Sequence, residues 1–269
     1  MHIAFDIPAS PDNYYHAVCD YFLPYFNFFR SRGLLDTDAT ITIKTSNGTN
    51  FLLFSKIINT LVPKHRLIFS DHATADCKLL SRLPPGLRYR RTINQLTAHI
   101  EGNLSLRHAP RTVILISRRS APRATSIADG RPHIRTIENN AELASQVERL
   151  CHAEGVEFLN VHNEDMTFPE QLRMYRRAKY VIGQHGAGLT NIIWMQRATH
   201  CFEIQCSSRL PFFRQIARAK RIRYHEVTPA SSTSSIPVAE MLEKERGRDE
   251  TATVDVADIL KPLSKLLVS

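Results

Sequence analysis

From Arg111 onward, short apolar runs alternate with amphipathic stretches of helical period. Residues 112 to 117, TVILIS, read as a buried strand, and residues 138 to 155, ENNAELASQVERLCHAEG, as a helix capped by Asn139 or Asn140 and stopped by Gly155. The cycle then repeats: strand at 156 to 161, helix at 168 to 178 with Pro169 in its first turn, strand at 180 to 183, short helix at 189 to 196, strand at 200 to 205. Strands joined by single helices form right-handed βαβ units and hence a parallel sheet. The second half therefore predicts a Rossmann-type domain.

The first half carries fewer signals. Residues 13 to 33 predict a helix interrupted near Pro24, followed by strands at 39 to 45, 51 to 54 and 66 to 70. Eight aromatic residues lie between Tyr14 and Phe29, and the burial preference of aromatics assigns them to a core. Asp36-Thr37-Asp38 precedes a strand and reads as a turn. Beyond Pro229 come a Ser-rich loop and two helical patterns, at 239 to 250 and 256 to 268. The expected division is residues 1 to 108, an N-terminal α/β domain; 109 to 228, a C-terminal Rossmann-like domain; and 229 to 269, a linker with C-terminal helices.

At 269 residues the chain has room for about two domains. Its 35 Lys and Arg against 26 Asp and Glu leave a net charge of +9, which favours an anionic partner without choosing one. Five scattered cysteines lack a C-x-x-C pair, so buried thiols are expected and neither a zinc ribbon nor a disulfide framework. The longest apolar runs fall far short of the roughly 20 residues that span a bilayer, and MHIAFDIPASPD is no secretory signal.

Chemistry concentrates in YVIGQHGAGLTNIIW, residues 180 to 194. A strand ending in Gly183, a glycine-rich turn and a helix start bring backbone amides together beyond the carboxyl end of a parallel strand, which is an anion site. Gly186 and Gly188 admit a phosphate close to the backbone, and Thr190 and His185 add side-chain donors. Glu203 follows on the next strand, where a carboxylate would accept from ribose hydroxyls. The spacing G-x-x-G-x-G, late in the strand series, argues against a dinucleotide oxidoreductase, and there is no Walker loop.

The stretch FPEQLRMYRRAKYVIGQHGAGLTNIIWMQRATHCFEIQ resembles the donor-binding signature of glycosyltransferase family 61, which includes EGF-domain O-GlcNAc transferases and plant xylosyltransferases. ILISRR (114 to 119) and RTIENNAEL (135 to 143) resemble the family's Ser-Arg pair and Arg-x-Ile-x-Asn helix start, with APRATSIADGRPHI between them. NYYHAVCDYFLP (13 to 24) resembles its Asn-x-x-His-x-x-x-Asp motif.

This resemblance implies an α/β, B-type glycosyltransferase fold of two Rossmann-like domains facing across a cleft, here with the N-terminal one truncated. It further implies inverting, metal-independent transfer of a xylose, arabinose or N-acetylglucosamine class sugar from a UDP-sugar to a glycan or glycoprotein hydroxyl. No cofactor, metal or nucleic acid is implied, and the family's compartment is the secretory lumen, Golgi or endoplasmic reticulum. The implied donor-site residues are Ser117, Arg118, Arg119, Arg135, His185, Gly186, Ala187, Gly188, Leu189, Thr190, Asn191 and Glu203; the implied catalytic pair is His16 and Asp20, either being the base. Two other readings stand beside it: an NAD(P)-type oxidoreductase, and a nucleotide-sugar-binding module without catalysis.

Overall fold

The computed structural model describes residues 2–6, 13–44, 52–70, 78–79, 87–103, 109–118, 135–205, 211–232 and 250–268. The chain divides into two compact units, Met1–Arg107 with Thr167–Leu172, and His108–Met166 with Arg173–Ser269.

In the first unit, strands β1 (His2–Asp6), β2 (Ala39–Lys44), β3 (His65–Ser70) and β4 (Lys78–Leu79) form an all-parallel sheet in the order β3-β2-β1-β4. The connection from β1 to β2 is a π-helix (His16–Phe22) that passes directly into α1 (Leu23–Arg30). The interruption expected near Pro24 is this change of winding: Leu23 N–H donates to the Val18 carbonyl five residues back. Pro24, in the first turn of α1, has no N–H to give to the continuous helix, which places the change of winding where the ladder loses a donor. Five of the eight clustered aromatics, Tyr21, Phe22, Tyr25, Phe26 and Phe29, are buried, so the core assignment holds.

Two expectations for this unit are corrected. FLLF, read as a strand, opens α2 (Leu52–Leu61); Phe54, Ile57, Ile58 and Leu61 are buried at helical spacing, a period that the four-residue run alone is too short to show. Residues 87 to 103, mostly polar and unassigned from sequence, form α3 (Leu87–Asn103), which buries Ile93, Leu96 and Ile100. Asp36-Thr37-Asp38 is a turn, with Thr37 Oγ1 donating to the Leu34 carbonyl.

The second unit is built on a five-stranded, all-parallel sheet in the order β10-β9-β8-β5-β7: β5 (Thr112–Ile116), β7 (Phe158–Val161), β8 (Ala178–Gln184), β9 (His200–Ile204) and β10 (Arg223–Val227). The strand, helix and turn assignments from TVILIS to HCFEIQ hold, with α4 (Asn140–Ala153) and α5 (Phe168–Arg177) as crossovers and a 3-10 helix (Ala187–Trp194) after β8. Asn139 occupies the N-cap position of α4 without capping it; its side chain instead holds both the N–H and the carbonyl of Val254. Further elements are α6 (Phe212–Lys220), α7 (Ala257–Leu267) and a small sheet, β11 (Ser231–Ser232), β12 (Glu250–Thr253) and β6 (Arg135–Ile137). The charged pattern at 239 to 250 lies outside the described residues except for Glu250.

Alternation along the strands sorts the two faces. Val113 and Leu115 of β5, Tyr180 and Ile182 of β8, and Phe202 and Ile204 of β9 join α4 and α7 in one core. Ile116, Gly183, Cys201 and Glu203 occupy the other parity, so Glu203 belongs to the face that carries the glycine-rich turn. Cys19, Cys151 and Cys201 are free and buried, as expected; Cys77 and Cys206 lie outside the described residues.

At the opposite ends of the strands, His200 Nδ1 bonds His225 Nε2 at 3.0 Å, and the His225 ring stacks on Phe202. Burial and then the positive field of His225, Arg223 and Lys179 push the pKa of His200 down to about 4. Between about pH 6.5 and 4 the unfolded chain binds a proton that folded His200 refuses, so stability falls as pH drops through that window and is fully present above it. The stack should contribute up to about 3 kcal/mol of acid destabilisation. Urea unfolding at pH 7 and pH 4.5 should show a larger loss for the wild type than for His200→Gln; equal losses would remove His200 as the cause.

Candidate functional site

Read in chain order, the five parallel strands run 2-1-3-4-5, and the strand order reverses between β5 and β8. A crevice beyond the carboxyl ends of the strands at such a reversal is where open α/β sheets bind ligands. The loop after β5 carries Ser117 and Arg118, and the turn after β8 carries His185 to Asn191, so the two segments singled out in the sequence meet at this switch point.

Gly186 adopts φ +152°, and a Cβ there would stand 1.8 Å from Nη2 and 2.8 Å from Cζ of Arg118. The Arg118 guanidinium therefore lies against the bare backbone of the turn. At Gly188 a Cβ would meet Asn163 Nδ2 at 3.1 Å. Asn163, beyond the end of β7, is held by Tyr175, whose hydroxyl donates to its Oδ1 at 2.7 Å. Ala187 and Gly188 open the 3-10 helix, and their amides have no carbonyl one turn back to bond.

Some polar atoms remain unspent after folding. Among the described residues, buried side-chain atoms without a hydrogen-bond partner are His162 Nδ1, Arg176 Nε, Gln184 Oε1, Thr190 Oγ1 and Gln205 Oε1. His162, Gln184 and Gln205 lie at or just beyond the carboxyl ends of β7, β8 and β9. Gln184 shares strand parity with Tyr180 and Ile182, and Gln205 with Cys201 and Glu203, so these atoms are spread over both faces of the sheet.

Several residues named from sequence serve the frame and not the ligand. Ser117 is buried; its hydroxyl donates to Asn160 Oδ1 at 2.5 Å and accepts from Asn140 Nδ2 at 2.9 Å, joining β5, β7 and α4. Leu189 packs over Gly183, and its N–H donates to the Gly186 carbonyl. Asn191 is buried and donates to the Gly188 carbonyl at 3.2 Å. Glu203, expected to accept from ribose hydroxyls, is 0% exposed with both oxygens engaged: Oε1 accepts from His185 Nδ1 at 2.5 Å and Oε2 from the Tyr224 hydroxyl at 2.5 Å. Arg118, His185, Gly186, Ala187, Gly188 and Thr190 remain as the groups placed to meet a ligand. Arg119 and the Arg135 side chain lie outside what is described.

Sequence reading missed Asn163, Gln205 and Tyr224. The apolar alternation of β10 is too weak to mark it as a strand, which hid Tyr224; Asn163 follows a strand end directly, a position where polar residues earn attention in any parallel sheet.

In the first unit His16 and Asp20 share one face of the π-helix, with His16 Nδ1 and Asp20 Oδ2 2.6 Å apart. The His16 side chain is 43% exposed and that of Asp20 11%, so the imidazole is the accessible member. π-Turns recur at functional sites. Among the described residues no group of three or more His, Cys, Asp or Glu could hold a metal ion, and no helix is long and apolar enough to cross a membrane.

Fold and site together define a doubly wound α/β protein with a ligand crevice and a glycine-rich turn at the switch point of its parallel sheet. Residues 14–202 match Glycosyltransferase 61, and the chain belongs to that family. That membership sets the oxidoreductase reading aside. A stretch of 79 residues, 29% of this chain, is 35% identical to a beta-1,2-xylosyltransferase of Arabidopsis thaliana and covers 15% of that protein. A stretch of 106 residues, 37% of this chain, is 31% identical to a beta-1,2-xylosyltransferase of Oryza sativa subsp. japonica and covers 19% of it. The matched stretches thus span less than a fifth of either relative's length.

Proposed function

We propose that the chain is an inverting, metal-independent glycosyltransferase whose two units are the Rossmann-like domains of a B-type fold. The second unit binds a UDP-sugar of the pentose or N-acetylglucosamine class, and the first serves a glycan or glycoprotein acceptor in the secretory lumen. The xylosyl donors named for the two relatives favour the pentose. The observation that carries this reading is the glycine-rich turn at the switch point of the sheet, with the Arg118 guanidinium against the bare backbone of Gly186.

In this reading the acceptor oxygen bonds the anomeric carbon as the bond to the UDP oxygen breaks, and the hydroxyl proton passes to His16, which Asp20 orients. Charge developing on the departing diphosphate is met by Arg118, the Ala187 and Gly188 amides and the Thr190 hydroxyl, fixed donors in place of a cation.

Calorimetry and turnover in EDTA test it. UDP should bind and a UDP-sugar should be turned over with the chelator present; Arg118→Ala should weaken UDP binding by about tenfold to a hundredfold and uridine binding far less. Collapse of turnover in EDTA with recovery on manganese overturns metal independence. Equal losses for UDP and uridine move Arg118 away from the diphosphate, and UDP binding without any transfer or hydrolysis leaves a binding module.

A further inference from the structure

The four side chains His185, Glu203, Tyr224 and Gln205 form one hydrogen-bonded series across three strands. Tyr224 of β10 stands opposite Cys201, so strand alternation puts it on the same face as Glu203 two residues further along β9. Its hydroxyl donates to Glu203 Oε2 and accepts from Gln205 Nε2 at 2.8 Å. Glu203 has no exposed surface and no Lys or Arg against it in these bonds; its other oxygen holds His185 Nδ1. Phe213 of α6 closes the assembly, its ring edge-on to His185 with centroids 5.0 Å apart. The charged groups nearest the series are Arg118, which lies against Gly186 next to His185, and Arg214 of α6, which sits over the Tyr224 ring and pairs with Glu226.

We propose that Tyr224 and Glu203 are positioning residues which keep the His185 proton on Nδ1, so that Nε2 presents a lone pair to a hydroxyl of the bound donor and not to its diphosphate. Burial, reinforced by the bond to Glu203, raises the Tyr224 pKa far above its ordinary value, so the phenol remains a donor throughout the working pH range. The inference rests on the donor-site reading above for what Nε2 meets, but not for how the ring is held. A carboxylate with a single tyrosine donor and a single histidine donor has no freedom to turn, and Nδ1 has no acceptor other than Glu203 in the series.

Two variants of the full chain test it. Tyr224→Phe keeps the ring and removes one donor from Glu203, which frees the carboxylate to turn away from His185. The KM for the UDP-sugar should rise about threefold to tenfold, with kcat and the unfolding temperature little changed. Glu203→Gln offers Nδ1 an amide donor, so nitrogen NMR of histidine-labelled protein should show His185 change from the Nδ1–H to the Nε2–H tautomer, its resonances being those lost in His185→Gln. That spectrum needs no substrate: a chain that binds no UDP defeats the donor reading while the tautomer still decides this one. An unchanged KM in Tyr224→Phe or an unchanged tautomer in Glu203→Gln overturns the proposal, and if Glu203→Gln does not fold, the tautomer of Tyr224→Phe and its KM decide alone.

Discussion

Replacing His16 with alanine should lower kcat by about a hundredfold to ten-thousandfold while UDP affinity stays within about twofold. The pair is built like a base with its orienter: the imidazole is the more exposed partner, and Asp20 sits behind it at 2.6 Å from Nδ1. A base within reach of the acceptor hydroxyl acts in the transition state and touches nothing on the nucleotide, so the loss belongs in kcat and not in UDP binding. Asp20→Asn keeps the shape but replaces an acceptor with an amide free to present its donor, and turnover should fall there too. Steady-state kinetics with a saturating UDP-sugar, alongside UDP calorimetry, measures both quantities. Turnover retained in His16→Ala with a large loss in Asp20→Asn transfers the role of base to Asp20, and retention in both places the base elsewhere.

Gly186→Val should leave a folded protein that binds UDP at least a hundredfold more weakly. Two costs combine. A φ of +152° is a region that a β-branched residue enters only with strain of about 1 to 3 kcal/mol, and the new Cβ would occupy the space of the Arg118 guanidinium. The guanidinium is the free end of a long side chain, so it yields before the backbone does, and one charge-assisted hydrogen bond, about 1.5 to 3 kcal/mol, is lost with it. Because both substitutions remove the same contact, Gly186→Val should cost less in an Arg118→Ala background than in the wild type. Full additivity in that cycle would separate the two residues, and undiminished UDP affinity in folded Gly186→Val would remove the turn from the binding site.

The alternation of apolar runs and helical periods from Thr112 to Gln205 determined a parallel α/β unit by itself, because β5, β8 and β9 are buried on both faces and each crossover has a single apolar stripe. The glycine spacing after β8 likewise marked a strand-to-helix turn of bare backbone at the carboxyl end of the sheet. The first unit was less legible: α2 begins with an apolar run that suits a strand equally well, and α3 spends too few apolar residues to announce itself. Division of labour within the site was decided by tertiary structure alone. Sequence spacing put Glu203 one strand along from the turn, where a ribose acceptor would stand, but only the packing of β10 against β9 brings Tyr224 to its second oxygen and closes it to solvent. Ser117 and Asn191 are drawn inward in the same way, by partners more than twenty residues distant in one case and by the helix turn itself in the other. A chain records which residues can bond a ligand; whether their lone pairs and protons remain unspent depends on neighbours that arrive from other strands, and those neighbours are set by the fold.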